Sequence, residues 1–182
     1  MLTWFYRLPL WLVIVGTIIT IIFFAILKSF IYRFTSKRII YNIVSFVGLI
    51  ASLILIFYAT LISRSSNIYE TQLMPFQSLI LAKTQPEMYR TMLMNVILFV
   101  PMGIAISFLN SKYVTCKTHF IVVLLISMVL SSAIEIFQFL YNIGLCQTDD
   151  TICNVLGAFS GSLTFPLSQY FSKTIIKNKN TD

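Results

Sequence analysis

Glu135, Asp149 and Asp150 fall inside, or at the mouth of, long apolar runs, where acids are rarest. A carboxyl group in apolar surroundings holds its proton longer, so Glu135 can serve as a general acid or base. Asp150 can then orient a cation or a water. The amides Asn95, Gln138 and Asn154 stand in the same runs and can both donate to and accept from a polar ligand. Plainer readings exist for all of them. Glu135 can simply hydrogen-bond neighbouring helices, and amides often act as interhelical glue. Asp149, a possible site member, and Asp150 can cap a helix, because carboxylates favour its positive end. An ionisable group inside a span costs at least ~2.5 kcal/mol on insertion scales, which makes Glu135 the leading candidate.

The motifs that accompany other chemistries are missing. The chain has no P-loop, G-x-S-x-G, H-E-x-x-H or C-x-x-C. Ser131 and Ser132 have no His or Lys in their run to activate them. No metal and no cofactor is expected. His119 reads as a surface residue of a basic loop. Cys116, Cys146 and Cys153 read as free thiols, although Cys146 and Cys153 flank the mouth of one apolar run and could pair.

The elements that must position these residues follow from composition. Of 182 residues, 58% are hydrophobic and 10% charged, with a mean hydropathy of +0.87. That excludes a disordered chain and argues against a soluble enzyme, whose surface needs about a quarter charged residues. Five apolar stretches appear, over 8–27, 39–63, 91–109, 120–141 and 151–171. Each approaches the ~20 residues of a spanning helix. The expected fold is an all-α polytopic transmembrane helix bundle of about five spans. The first stretch is too long for a signal-peptide core and is read as a retained helix.

Basic residues set the expected orientation. Arg7, Arg64, Lys83 and Arg90 fall on one side; Lys28, Arg33, Lys37, Arg38, Lys112, Lys117, Lys173, Lys177 and Lys179 fall on the other. The richer side is taken as cytoplasmic, so the N-terminus is expected outside and the C-terminus inside. The net charge of +7 then belongs to flanks facing anionic lipid, and no nucleic-acid partner is implied.

This orientation gathers the polar residues into one layer. Asn95 would lie ~6 Å below the outer boundary, Glu135 ~9 Å and Gln138 ~4.5 Å, with Asp150 and Asn154 at the start of the fifth stretch. Nothing comparable is expected on the inner side. Ser131, Glu135 and Gln138 share one helix face, as do Asp150, Asn154, Gly157 and Gly161. Gly157 and Gly161 form a G-x-x-x-G step for close helix packing. Pro101 and Gly103 are assigned to packing too, with a kink at the proline.

The ordered motifs Asn95-Val-Ile-Leu-Phe-Val-Pro101-Met-Gly103, Ile134-Glu135-Ile-Phe-Gln138 and Asp150-Thr-Ile-Cys-Asn154-Val-Leu-Gly157-x-x-x-Gly161 resemble the VanZ-like family. Leu73-Met-Pro75-Phe76 and Arg90 match the stretch such proteins carry ahead of the Asn-containing helix. The resemblance covers about residues 40–172. It departs near Gln147, where an acid is common in the family, and Asp149 occupies a variable position. The resemblance implies a multi-pass bacterial membrane protein linked to glycopeptide (teicoplanin) resistance. On this reading residues 1–38 are an extra N-terminal helix and basic loop, 39–172 the VanZ-like domain and 173–182 a polar cytoplasmic tail.

The leading expectation is a polar pocket in the outer leaflet, formed by Arg90, Asn95, Glu135, Gln138, Asp150 and Asn154. It would engage membrane lipid, a lipid-linked cell-wall precursor or a lipoglycopeptide. The alternatives are an intramembrane enzyme acting on a lipid-linked wall substrate, or a scaffolding subunit of a membrane complex.

Overall fold

Inside a bilayer a backbone must satisfy its own polar groups, so long apolar runs become helices. The computed structural model describes residues 10–34, 38–62, 71–72, 74–109, 114–143 and 146–179. They form α1 (Leu10–Phe34), α2 (Arg38–Phe57), α3 (Gln77–Leu81), α4 (Pro86–Leu109), α5 (Cys116–Tyr141), α6 (Thr148–Ser162) and α7 (Thr164–Lys179). A π-helical turn, Tyr58–Ile62, ends α2. Strands β1 (Thr71–Gln72) and β2 (Cys146–Gln147) pair in parallel, Thr71 with Cys146 and Gln72 with Gln147. The all-α membrane bundle read from composition is borne out: α1, α2, α4 and α5 are each long and apolar enough to cross a bilayer. Arg7, Lys37, Arg64, Lys112 and residues 180–182, which entered the orientation and tail assignments, lie outside the described residues.

Helix α4 is the centre. More than half of its apolar span is buried against protein, whereas α1 and α2 are mostly exposed. It packs most extensively on α6 and next on α2. Phe99, Met102 and Ile106 of α4 join Ile56, Val123, Ile134 and Ala158 in one core; Val100, Ile104 and Phe108 join Ile21 in another. The outward faces of α1, α2 and α5 are lined with exposed Ile, Val, Leu and Phe.

Glycine permits the closest of these contacts. A Cβ on Gly157 would stand 1.9 Å from the Val96 carbonyl oxygen, and one on Gly161 would stand 2.1 Å from that of Val100. Gly103 answers from α4, where a Cβ would meet the Ala158 oxygen at 2.0 Å. Both helices advance together along this seam, so α4 and α6 run parallel. Pro101 lies within α4, which continues past it to Leu109.

Two boundaries differ from the sequence reading. The stretch 151–171 is not one helix: α6 stops at Ser162, the chain turns at Leu163, and α7 begins at Thr164. Pro166 explains the restart, because the first helical turn has no intrahelical use for its N–H groups and tolerates proline. At 15 residues α6 is about 22 Å long, short of the ~30 Å hydrocarbon core. Helix α7 stays at the end where α4 finishes: its Phe165 meets His119, and its Ser172 hydroxyl lies 3.0 Å from that of Ser29. It also runs on to Lys179, so residue 173 is no element boundary.

The first stretch, read as ending at Leu27, continues as helix to Phe34, and Lys28 is buried rather than in a loop. Its ammonium donates to the Ser107 carbonyl, in the last turn of α4. The last carbonyls of a helix lack intrahelical donors and carry the negative end of its dipole, so a cation fits there.

Candidate functional site

The N-terminal ends of α4 and α6 and the C-terminal end of α5 meet at one end of the bundle. Asn95, Glu135, Gln138, Asp149, Asp150 and Asn154 are all buried there. Ser131 accepts from the Asn154 side-chain amide at 2.8 Å, joining α5 to α6 on the faces that helical spacing assigned. Asn95 precedes Val96, whose carbonyl packs on Gly157, so α4 reaches the same level.

The carboxylates hold backbone. Glu135 Oε2 accepts from the Gln147 N–H at 2.9 Å, fixing β2 just ahead of α6. The Cys146 side chain is also hydrogen-bonded to Glu135. Burial, and then the charge of this carboxylate, push the Cys146 thiol up from its ordinary range. Asp149 does not cap its own helix. Its two oxygens accept from the N–H groups of Phe76 at 2.6 Å and Ser78 at 2.7 Å, at the start of α3. Phe76 has φ 65, a left-handed turn that aims both amides at one carboxylate. Asp150 is buried in the first turn of α6, close enough to Cys146 for its charge to reinforce the same shift.

Gln138 is directed elsewhere. Its Nε2 donates at 2.8 Å to the Thr60 carbonyl, within the π-helical turn that ends α2. Arg90 is half-buried in α4, five residues before Asn95. The layer therefore contains three partnerships (Glu135 with β2, Asp149 with α3, Gln138 with α2) around the central Asn95–Asn154 level.

Two amide atoms at that level are unmatched. Asn95 Nδ2 and Asn154 Oδ1 are buried and have no hydrogen-bond partner among the described residues. Exchanging oxygen and nitrogen of the Asn154 amide would still leave one of its two atoms without a partner. Buried polar groups are almost always paired, so these two atoms stand out from the rest of the layer. Among the described residues no group of His, Cys, Asp and Glu could hold a metal ion, and Cys116, Cys146 and Cys153 are all free.

The opposite end corrects the expectation that it holds nothing comparable. His119 is no surface residue: it sits in the first turn of α5 at 1% exposure. Its ring bonds the Ser162 carbonyl and lies 3.4 Å from the Ser107 hydroxyl. The Phe165 ring stands 4.4 Å from the His119 ring and 4.6 Å from the Lys28 ammonium. Lys28 was legible in principle, since Phe30 and Ile31 continue the apolar run beyond it. His119 carried no such signal. Thr60 and the Gln147 backbone were likewise invisible, because main-chain partners leave no mark in residue type.

Fold and site together define a membrane-embedded helix bundle with buried acids and amides concentrated at one end. The chain belongs to the VanZ/LLP1 family, whose profile matches residues 43–169. It is similar to Protein VanZ of Enterococcus faecium, with 38% identity over 80 residues, 44% of this chain and 47% of that relative. The matched stretch thus spans about half the length of that relative. No solved structure matches the chain. Helix α1 lies before the matched residues, yet its Lys28 is built into the end of α4.

Proposed function

We propose that this VanZ-like membrane protein acts through the acid-and-amide layer as a binding pocket for a polar group on a lipid, a lipid-linked cell-wall precursor or a lipoglycopeptide. The observation that carries this reading is the unmatched pair of buried amide atoms on Asn95 and Asn154. A ligand that both accepts and donates would supply what they lack. The layer is placed in the outer leaflet, with the N-terminus outside and the C-terminus cytoplasmic, on the asymmetry of Lys and Arg. A contribution to teicoplanin resistance or envelope homeostasis follows from the family resemblance together with that placement.

The same residues support other readings less well. As an intramembrane general acid or base, Glu135 would have to leave the Gln147 amide and the Cys146 side chain that it already holds. A scaffolding role through Gly157 and Gly161 draws no support from a step that α4 already covers.

The test is to purify wild-type protein and the Asn154→Ala variant from the same membranes and compare bound lipids by mass spectrometry. A lipid class retained by wild type and lost from the variant is the expected result. Identical lipid content at equal protein abundance would overturn the pocket. In cells, Glu135→Gln and Asp150→Asn are expected to lose the envelope or resistance phenotype at normal protein level.

A further inference from the structure

Between β1 and α4 the chain turns through Met74–Phe76 into α3, and this connection is apolar. Met74, Phe76, Leu79 and Ile80 are all exposed, Met74 at 73% and Ile80 at 66%. No charged residue occurs until Lys83. Single exposed apolar residues need no explanation, but a charge-free cluster on a short connection does.

The backbone of the segment is prepared to leave water. Asp149 takes the amides of Phe76 and Ser78. Those of Gln77, Ile80 and Ala82 bond the carbonyls of Met74, Phe76 and Ser78, and those of Lys83, Thr84 and Gln85 turn back onto Ile80 and Leu81. Hydrogen bonds made within the protein lower the cost of taking this backbone out of water. Position agrees as well. Helix α3 packs on α4, whose apolar span starts at Met88, and is tied to the first turn of α6. Exposed apolar side chains also stand at the same end on Phe57, which closes α2, on Tyr58 after it, and on Phe137, Leu140 and Tyr141 of α5.

We propose that Met74–Leu81 is an interfacial element rather than an aqueous loop, with Met74, Phe76, Leu79 and Ile80 set among the acyl chains of the leaflet nearest the acid layer. Their depth would be that of an interfacial helix, roughly 5–10 Å below the headgroup boundary. Exposed Lys83, one turn beyond Ile80, marks where the chain returns to the headgroups. Asp149 then ties this lipid-facing segment to the first turn of α6. The proposal depends neither on what the pocket binds nor on which way the protein is oriented.

The test uses the full chain in phosphatidylethanolamine–phosphatidylglycerol vesicles, with Trp4→Phe and Trp11→Phe removing the native tryptophans. Ile80→Trp or Lys83→Trp then serves as the reporter. Tryptophan at 80 is expected to emit blue-shifted light, to lose most of its intensity to brominated acyl chains and to resist aqueous acrylamide. Tryptophan at 83 is expected to show the reverse preference. Acrylamide quenching at 80 as strong as at 83 would overturn the proposal. So would protection at 80 from both quenchers, which would mean that protein, including a second copy of the chain, covers the face. Should Ile80→Trp fail to accumulate, Phe76→Trp reports on the same face with the same two outcomes.

Discussion

Charges of opposite sign lie at the two ends of α4. At its N-terminal end the carboxylates of Glu135 and Asp149 accept from backbone N–H groups at or just before the starts of α6 and α3. At its C-terminal end the ammonium of Lys28 donates to the Ser107 carbonyl. Because α4 and α6 run parallel, the positive ends of both dipoles lie at the acid end, and the negative end of α4 lies at the lysine. Helix direction therefore segregates charge in this protein in addition to any sidedness of the membrane.

The ends differ in how fully their polar groups are used. At the lysine end Lys28 and His119 are both bonded, while the Thr164 hydroxyl has no hydrogen-bond partner among the described residues. At the acid end the charged groups are bonded, but the amides of Asn95 and Asn154 are not fully matched, nor is the Ser78 hydroxyl. On the proposed binding reading, the acid end keeps polar capacity in reserve for a ligand.

The comparison is most severely tested at the seam common to both ends. Gly157→Ala forces a methyl group onto the Val96 carbonyl, and backbone cannot give way as a side chain can. A loss of about 3 kcal/mol, the top of the usual overpacking range, is expected in detergent unfolding, with both ends loosened together. A loss confined to one end would show that α4 and α6 do not couple them.

Lys28→Met should act on one end alone. It leaves the Ser107 carbonyl without its charged donor, at a cost of about 1–3 kcal/mol. Lipid retention at the acid end should be unchanged; its loss would erase the distinction between a structural and a functional end. Asp149→Ala removes the acceptor of two amides and should cost about 1–2 kcal/mol, as for loss of a helix cap. Hydrogen exchange should quicken at Phe76 and Ser78 and hardly change at the lysine end.

The smallest effect concerns the Cys146 thiol. Its pKa is raised, so at neutral pH it stays protonated, and alkylation should accelerate only above the pH at which ordinary thiols react. Glu135→Gln removes the charge that adds to burial and should move that threshold down. An unchanged profile would separate Cys146 from the acid layer.

Much of the fold was legible because its signals are one-dimensional. Long, largely apolar runs over 39–63, 91–109 and 120–141 favour helices in lipid, and α2, α4 and α5 occupy most of them. The shared faces of Ser131 with Glu135, and of Asp150 with Asn154 and Gly157, follow from 3.6 residues per turn. Asp149 shows where such reasoning stops. Residue type announced a cap, but the helix capped is α3, some seventy residues earlier in the chain.

The sequence by itself determined that the protein lives in a membrane, that its long apolar runs over 39–63, 91–109 and 120–141 are helical and which rare polar residues need an explanation, since each depends on local composition and period. Only the tertiary structure decided their partners. Lys28 and His119, read as loop residues, became buried through the packing of α1 and α7 against the end of α4. Glu135, left open between a functional and a packing role, accepts from the Gln147 N–H of β2. The physical reason is that charges buried beyond the reach of water bond to whatever the packed chain presents, and here that is mostly backbone, which carries no residue-specific signal.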